Sequence, residues 1–419
     1  MNITIIAAGS RGDVQPYIAL GSGLKAAGHR VQILASTDFS ELVATYGLEF
    51  TAISENTEAA AQHMAALAEQ GNIFKILAGT GRGAQKLAIQ SAAIGLAACQ
   101  HADVIVAGLG GLFIGLALAE KLAIPFIPAH LLPFTPTRAF PSAVLPLPQT
   151  RYSAWANKLS HHVTHRVVWQ MFRAADTEAR RRVLRLAPAP FWGPFTQLQQ
   201  SRPVLYGYSP HVLPPPTDWP RDVHVVGYWQ LGTPANWQPP ADLLAFLNAG
   251  PPPVYVGFGS MPSRDPAANT RLVLQALAQA GQRGVLYAGW GGLQQSQLPP
   301  DVFLTQSVPH SWLFPHMAAV IHHGGAGTTG AGLQAGVPSI VVPFFGDQPF
   351  WGQRVHALGV GPRPIPRRQL TADNLAEAIR RSVSDEAMRK RAAQLGQRIR
   401  ADDGVAYAAN VITQAGMRR

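Results

Sequence analysis

Two short stretches of this chain bring together residue types that can grip an anion and move a proton. The first is His323-Gly324-Gly325-Ala326-Gly327-Thr328. Ala318 to Ile321 before it is a short apolar run suited to a buried strand. Thr328 and Thr329 open a short helix, Gly336 stands where a helix C-terminus wants a positive φ, and Pro338 stops it before Ser339 to Val342 returns as a strand. A helix N-terminus behind a glycine turn is an anion site, because free N–H groups and the positive dipole end face the ligand. Glycine lets the backbone come close, and His323 and Thr328 add donors of the kind a phosphate needs. The run closes on an acid–amide pair, Asp347-Gln348.

The second stretch is Gly9-Ser10-Arg11-Gly12-Asp13, which is not the G-x-G-x-x-G of a dinucleotide fingerprint. Asp13 stands at the mouth of a helix, where it can serve as an N-cap or aim its carboxylate at a ligand as a general base. A free aspartate has a pKa of about 4, so such a base is ionised at neutral pH and acts late, as the attacking oxygen forms its bond.

Elements that alternate strand and helix position both turns. Asn2 to Ala8 reads as a strand, Val14 to Ala27 as a helix closed by Gly28, Val31 to Ala35 as a strand and Phe39 to Tyr46 as a helix. Asp103 to Ala107 and Pro125 to Ala129 are strand-like, residues 55–100 look helical, and a further helical stretch runs from about Arg151 to Leu186. Leu213 to Pro220 is rich in proline and is the best linker candidate. Alternation then resumes with Val254 to Gly257, Asn269 to Gln279 and Val285 to Ala288, and helices are expected at Leu375 to Val383, Ala387 to Arg400 and Val405 to Gln414. This is the pattern of parallel doubly wound sheets. The expected division is residues 1–212 as a first domain, 213–222 as linker and 223–395 as a second domain. Residues 396–419 form a C-terminal helix returning to the first domain.

The order H-x-G-x-G-T, helix, G-V-P, P-x-x-x-D-Q resembles the nucleotide-sugar signature of the UDP-glycosyltransferase family, and Gly9 to Gly21 resembles the opening of its sterol glucosyltransferase and vancomycin-type branches. The resemblance implies an α/β GT-B fold: two doubly wound, Rossmann-like domains facing across a cleft, with closure excluding water, residues 1–212 taking the acceptor and 223–395 the nucleotide sugar. It implies inverting transfer of a sugar, glucose first, from a UDP-sugar to a hydroxyl of a sterol, terpenoid, carotenoid or polyphenol. The turn aspartate of those branches corresponds to Asp13, whereas plant members place a histidine base in this loop and none occurs here between Met1 and Gly28. Ser10 and Gly12 in the same turn, Ser260, His323, Gly325, Ala326, Gly327 and Thr328 fall among the donor contacts. By the same resemblance Asp347 and Gln348 meet the sugar hydroxyls. Val308 offers backbone to the uracil edge. Trp290 stands in for a missing tryptophan near Ser307, as a base platform or a core plug. Ser260 is open to a turn or cap role, and His310 to a structural one. Phe74, Phe113 and Phe134 are the candidate acceptor contacts, with core packing as the bland alternative for each.

Composition narrows the rest. Of 419 residues, 47% are hydrophobic and only 14% charged, enough apolar material for two cores. One cysteine, Cys99, excludes an intrachain disulfide and a cysteine zinc cluster. No acid cluster reads as a metal site, and no cofactor is expected beyond the nucleotide sugar as co-substrate. The net charge of +11 favours anionic partners. The absence of a zinc finger or RNA-recognition motif argues against nucleic acid. Basic residues in Arg180 to Arg185 and Arg380 to Arg400 suit a solvated face or loose membrane attachment. Met1 to Ala8 lacks the marks of a signal peptide, and Val104 to Ala119, with four glycines, reads as strand, turn and helix rather than a membrane span. A cytoplasmic protein is expected, with membrane association as its variant. The alternatives are a dTDP-sugar-dependent enzyme, a nucleotide-sugar binder without transfer activity, and an epimerase with a different acid–base set.

Overall fold

The computed structural model describes residues 1–54, 82–145, 152–200, 203–234, 236–259, 266–287, 298–305 and 308–417. The chain forms two compact units. One holds Met1–Pro210, Pro214–Gln230 and Asp403–Arg419, and the other His211–Leu213 and Leu231–Asp402.

In the first unit the order is β1 Asn2–Ile6, α1 Arg11–Ala26, β2 Arg30–Ser36, α2 Ser40–Thr45, β3 Glu49–Ser54, α3 Arg82–Ala98, β4 Val104–Ala107 and α4 Leu112–Leu122. It continues with β5 Phe126–His130, α5 Ala154–Ala179, α6 Phe195–Gln200, β6 Val204–Tyr206 and β7 Val223–Val225. The seven strands are arranged β3-β2-β1-β4-β5-β6-β7. Neighbours run parallel, with Ile5 opposite both Ile33 of β2 and Val106 of β4. The central strands are nearly unbroken apolar runs because helices cover both faces of a parallel sheet.

The second unit holds α7 Ala241–Asn248, β8 Val254–Gly257, α8 Pro266–Ala280, β9 Gly284–Tyr287, β10 Val302–Thr305, α9 His310–Leu313, β11 Ala319–His322, α10 Ala326–Ala335 and β12 Ser339–Val341. Three helices follow, α11 Gln348–Ala357, α12 Ala372–Ser384 and α13 Glu386–Ala401. Its five parallel strands run β10-β9-β8-β11-β12. The last helix, α14 Gly404–Met417, belongs to the first unit, where Val405 packs so tightly on α1 that a Cβ at Gly23 would meet its Cγ1 at 2.1 Å.

Two expected boundaries shift. Residues 214–222 are not a free linker, and residues 223–230 do not open the second unit. Asp218 accepts hydrogen bonds from Thr137 Oγ1 at 2.6 Å and Arg138 N–H at 2.8 Å, Trp219 stacks on Tyr206 at 4.8 Å, and β7 pairs with β6. The other limit falls between Asp402 and Asp403 rather than at 395, since α13 packs on α10 of the second unit. No described helix is long and apolar enough to cross a membrane.

Each sheet has one topological switch point. In the first, β1 leads outward through β2 to β3, and the chain then returns to place β4 on the other side of β1. In the second, β8 leads to β9 and β10, and β11 returns to its other side. Loops leaving the C-terminal ends of such strands diverge and leave a crevice, the usual ligand position in open parallel sheets.

Candidate functional site

Asp13 lies at the first unit's switch point. The chain leaves β1, and Gly9 adopts φ +139°, where a Cβ would also lie 2.5 Å from Asp13 Oδ2. Only glycine fits such a turn. Ser10, at φ −75° and ψ 175°, is the N-cap of α1, so Asp13 is the third helical residue and not the cap itself. Its Oδ2 accepts the Ser10 N–H at 2.8 Å and the Ser10 hydroxyl at 2.9 Å. Asp13 stands at the wall of a concavity of about 340 Å³, lined also by Tyr17, Gly108, Gly110, Leu131 and Leu132. Dense protein around it strips hydration and raises its pKa above the usual aspartate value, against the two Ser10 bonds, which lower it. Tyr17 is buried, its pKa is pushed up by burial and then by the Asp13 charge, and its hydroxyl donates to Ala129 O at 2.6 Å.

The opposite wall is the loop after β4. A Cβ at Gly110 would lie 2.1 Å from Ala8 O, and one at Gly108 only 1.7 Å from Tyr17 Oη. Backbone therefore meets backbone beside Asp13. Gly108→Ala is expected to break the Tyr17–Ala129 hydrogen bond and displace the loop, at a cost of about 2–4 kcal/mol. Thermal unfolding measures the loss.

The second unit's switch point carries the other motif. His322 ends β11 fully buried, and its Nδ1 accepts the Gly324 N–H at 3.0 Å. Burial, with His323 and His310 nearby, lowers its pKa to about 3, so the ring is neutral with its proton on Nε2. Gly324 turns the chain at φ +91°. The His323 ring then fits between two glycines: a Cβ at Gly259 would lie 2.9 Å from its Cε1, and one at Gly325 2.6 Å from its Nε2. Burial lowers the His323 pKa to about 4, and its Nδ1 finds no partner among the described residues.

Gly325 is the N-cap of α10 and brings no capping side chain. The first intrahelical bond is Thr329 N–H to Gly325 O at 2.9 Å, so the amides of Ala326, Gly327 and Thr328 have no intrahelical acceptor and point out of the helix end. The start of α11 closes on the same turn, since a Cβ at Gly324 would lie 3.0 Å from Gln348 O. Gln348 is buried, and its Oε1 accepts Phe344 N–H at 2.7 Å and Phe345 N–H at 3.3 Å. Half-buried Asp347 accepts the Trp351 indole N–H at 2.7 Å. These residues can cradle an anionic group at the helix end and present a carboxylate to hydroxyls beside it.

The sequence-predicted residues divide accordingly. Ser10 and Gly12 accompany Asp13 on the first unit, with the Ser10 hydroxyl committed to the carboxylate. His323, Gly325, Ala326, Gly327, Thr328, Asp347 and Gln348 gather on the second. Val308 is half-buried against the cluster of Tyr255, Leu313 and Phe314, and His310 stacks on Phe314 at 4.3 Å, a packing role. Ser260, Trp290 and Phe74 lie outside the described residues. Phe113 does not reach either described pocket wall, because its ring packs into the core on Trp169 at 4.9 Å. Phe134 does line a concavity, of about 440 Å³, with His130, His165, Phe195 and Leu198. The sequence reading missed Gly108 to Gly111 as a site wall, although the four glycines in that uncharged run were a usable signal. Among the described residues no three His, Cys, Asp or Glu side chains converge as a metal site.

Residues 3–141 match the profile of the glycosyltransferase family 28 N-terminal domain, and residues 285–409 that of the erythromycin biosynthesis protein CIII-like C-terminal domain. Two sterol 3-beta-glucosyltransferases of Arabidopsis thaliana are each 37% identical over 425 residues, covering 97% of this chain and 64% or 67% of theirs. The sterol 3-beta-glucosyltransferase of Neosartorya fischeri is 37% identical over 429 residues, 98% of this chain and 29% of its own. The chain thus spans about two thirds of the plant relatives' length and under a third of the fungal one's. The crystal structure of the kitacinnamycin glycosyltransferase superposes with a TM-score of 0.71 over 99% of this chain and 98% of that one at 21% identity, a likeness of fold.

Proposed function

The chain belongs to the glycosyltransferase family that includes the sterol 3-beta-glucosyltransferases, and on that premise we propose that it moves glucose from UDP-glucose to a hydroxyl of a lipophilic, sterol-like acceptor, with inversion. The observation that carries the reading is the pair of switch points: one holds a carboxylate, the other an uncapped helix end with an imidazole beside it. The donor diphosphate is assigned to the amides of Ala326, Gly327 and Thr328 and to His323, and the sugar hydroxyls to Asp347 and Gln348. In the plant and fungal relatives the named acceptor is a sterol, which makes a flat apolar alcohol the acceptor to try first.

The chemistry follows from these roles. Asp13 takes the acceptor's hydroxyl proton as that oxygen bonds to the anomeric carbon. The bond from the anomeric carbon to the diphosphate breaks, and its electron pair leaves with the diphosphate. Charge growing on the leaving oxygen is met by the helix-end amides and His323, which are already in place and need no reorganisation. Because protein donors meet that charge, transfer is expected to continue unchanged in EDTA. A loss of rate that magnesium restores would move the neutralising role to a cation.

The direct test is incubation with UDP-glucose and a panel of sterols, terpenoids and phenols, following UDP release and product mass, with dTDP-glucose in parallel. A product heavier by one glucose supports transfer. Product formed only from dTDP-glucose would replace the donor. UDP-glucose binding without product from any acceptor would favour a binding protein.

A further inference from the structure

Helix α5 buries its polar residues and exposes its apolar ones over its first three turns. Asn157, Ser160, His161, Thr164 and His165 face inward and are buried, while Trp155, Leu159 and Val163 are 72%, 43% and 43% exposed. Spacing of four residues sets these three in one outward stripe. Hydrogen bonds hold the helix in that rotation. Asn157 Nδ2 donates to Arg138 O at 3.0 Å, Ser142 N–H to Ser160 Oγ at 2.8 Å, and Thr164 Oγ1 to Ser142 Oγ at 2.7 Å. His161 Nε2 lies 3.1 Å from Phe140 O and His165 Nε2 2.9 Å from Phe134 O. Turning the apolar stripe inward would strand all of these buried groups.

The same face continues into cations and further aromatics. His162, Arg166, Gln170 and Arg173 follow along it, and Phe191-Trp192 lies over them, 55% and 60% exposed. The Arg166 guanidinium donates to Trp192 O and sits 5.6 Å from that ring, and Arg173 sits 4.6 Å from the Phe191 ring. Lys158 flanks the stripe, and neither Ala154 to Ala175 nor Arg185 to Gln200 contains an Asp or Glu.

We propose that the outer face of α5, with Phe191 and Trp192, docks on an anionic lipid bilayer, the helix lying along the head groups. Tryptophans and an aliphatic stripe suit the boundary where hydrocarbon meets water, and Lys158, Arg166 and Arg173 complement acidic head groups. The net charge of +11 attracts the whole chain to the same surface. The face stands by itself, whether or not the chain transfers sugar.

Flotation of the full chain with phosphatidylcholine vesicles, with and without roughly 30% phosphatidylglycerol, tests this at roughly 0.1 M salt. Binding is expected to the anionic vesicles, to weaken with salt, and to fall at least roughly tenfold in the double variant Trp155→Ser, Leu159→Ser at unchanged Tm and circular dichroism. Brominated lipid should quench wild-type fluorescence more than that of Trp192→Phe. No binding to anionic vesicles, equal binding to neutral ones, or binding the double variant retains would overturn the proposal. A dimer in light scattering that the double variant converts to monomer would overturn it too, by giving the face to a second copy.

Discussion

Asp13→Asn is expected to lower glucosyl transfer at least a hundredfold and to leave the protein as stable as before, or more so. The amide oxygen of asparagine can still accept the Ser10 N–H that Asp13 accepts at 2.8 Å, so the turn keeps its form. What disappears is the acceptor for the hydroxyl proton, and removing a general base costs about 10²–10⁴ in rate. The stability side follows from the raised pKa. The folded protein holds the Asp13 proton more tightly than the unfolded chain does. The group's stabilising contribution is therefore complete below the ordinary aspartate value near 4 and lost as pH rises through the folded value. Asparagine mimics the neutral form and escapes that loss at pH 7. In the wild type, kcat/KM should fall on the acid side with an apparent pKa above that of a free aspartate, and that limb should vanish in any residual activity of the variant. A variant with a hundredth of the activity and a Tm several degrees lower would mean that Asp13 matters as a brace of α1 and not as a base.

His323→Gln is expected to reduce kcat/KM for UDP-glucose by about a hundredfold, the scale of one lost donor to a developing anion. The imidazole is wedged between Gly259 and Gly325, so its aim is set before ligand arrives. Its pKa of about 4 makes it neutral at pH 7 in the free protein. A diphosphate beside it favours the charged ring and raises that pKa, so binding takes up a proton. UDP-glucose should therefore bind more tightly as pH falls from 7 towards 5, since the two phosphates of the diester do not titrate in that range. Calorimetry in buffers of different ionisation enthalpy reads the proton uptake directly. Flat affinity across that range, or a pH response that the glutamine variant keeps, would remove His323 from the diphosphate. The free protein responds in the opposite sense: because the folded pKa is depressed, the stability tied to this ring is present above about 6.5 and lost as pH falls towards 4.

Much of this was legible because strand, turn and helix signals are local. Gly336, just before Pro338, marks a helix stop in the sequence, and it adopts φ 77° at the end of α10. The apolar runs gave β1, β2, β4, β5, β8 and β11 nearly to the residue. The short strands β3, β6, β7 and β10, three of them at sheet edges, are not legible in the sequence, because three to six residues carry too little periodicity to separate from loop. In the sequence Asp13 suits a cap or a base; in the fold it stands at the third helical position with Ser10 as cap, and only a packed loop reveals why Gly9 must be glycine.

From its residues alone, the chain determined two turns able to bind and to catalyse, the helices that follow them, and the family to which they belong. Strand order was decided by pairings across the chain, β1 with β4 and β8 with β11, and strand order places each turn at a switch point. The glycines at 108 and 110 acquire their necessity only when β4 comes beside β1 and brings Tyr17 and Ala8 within a Cβ's reach. Phe113 and Phe134 look alike in sequence and both join the first unit's core, yet of the two only Phe134 also lines a concavity. Helix α5 presents Trp155 outward because its inward polar groups found partners in residues 134–142. Local propensity fixes an element's type within a few residues; which face turns inward depends on groups far away in the chain, and those meet only in the folded protein.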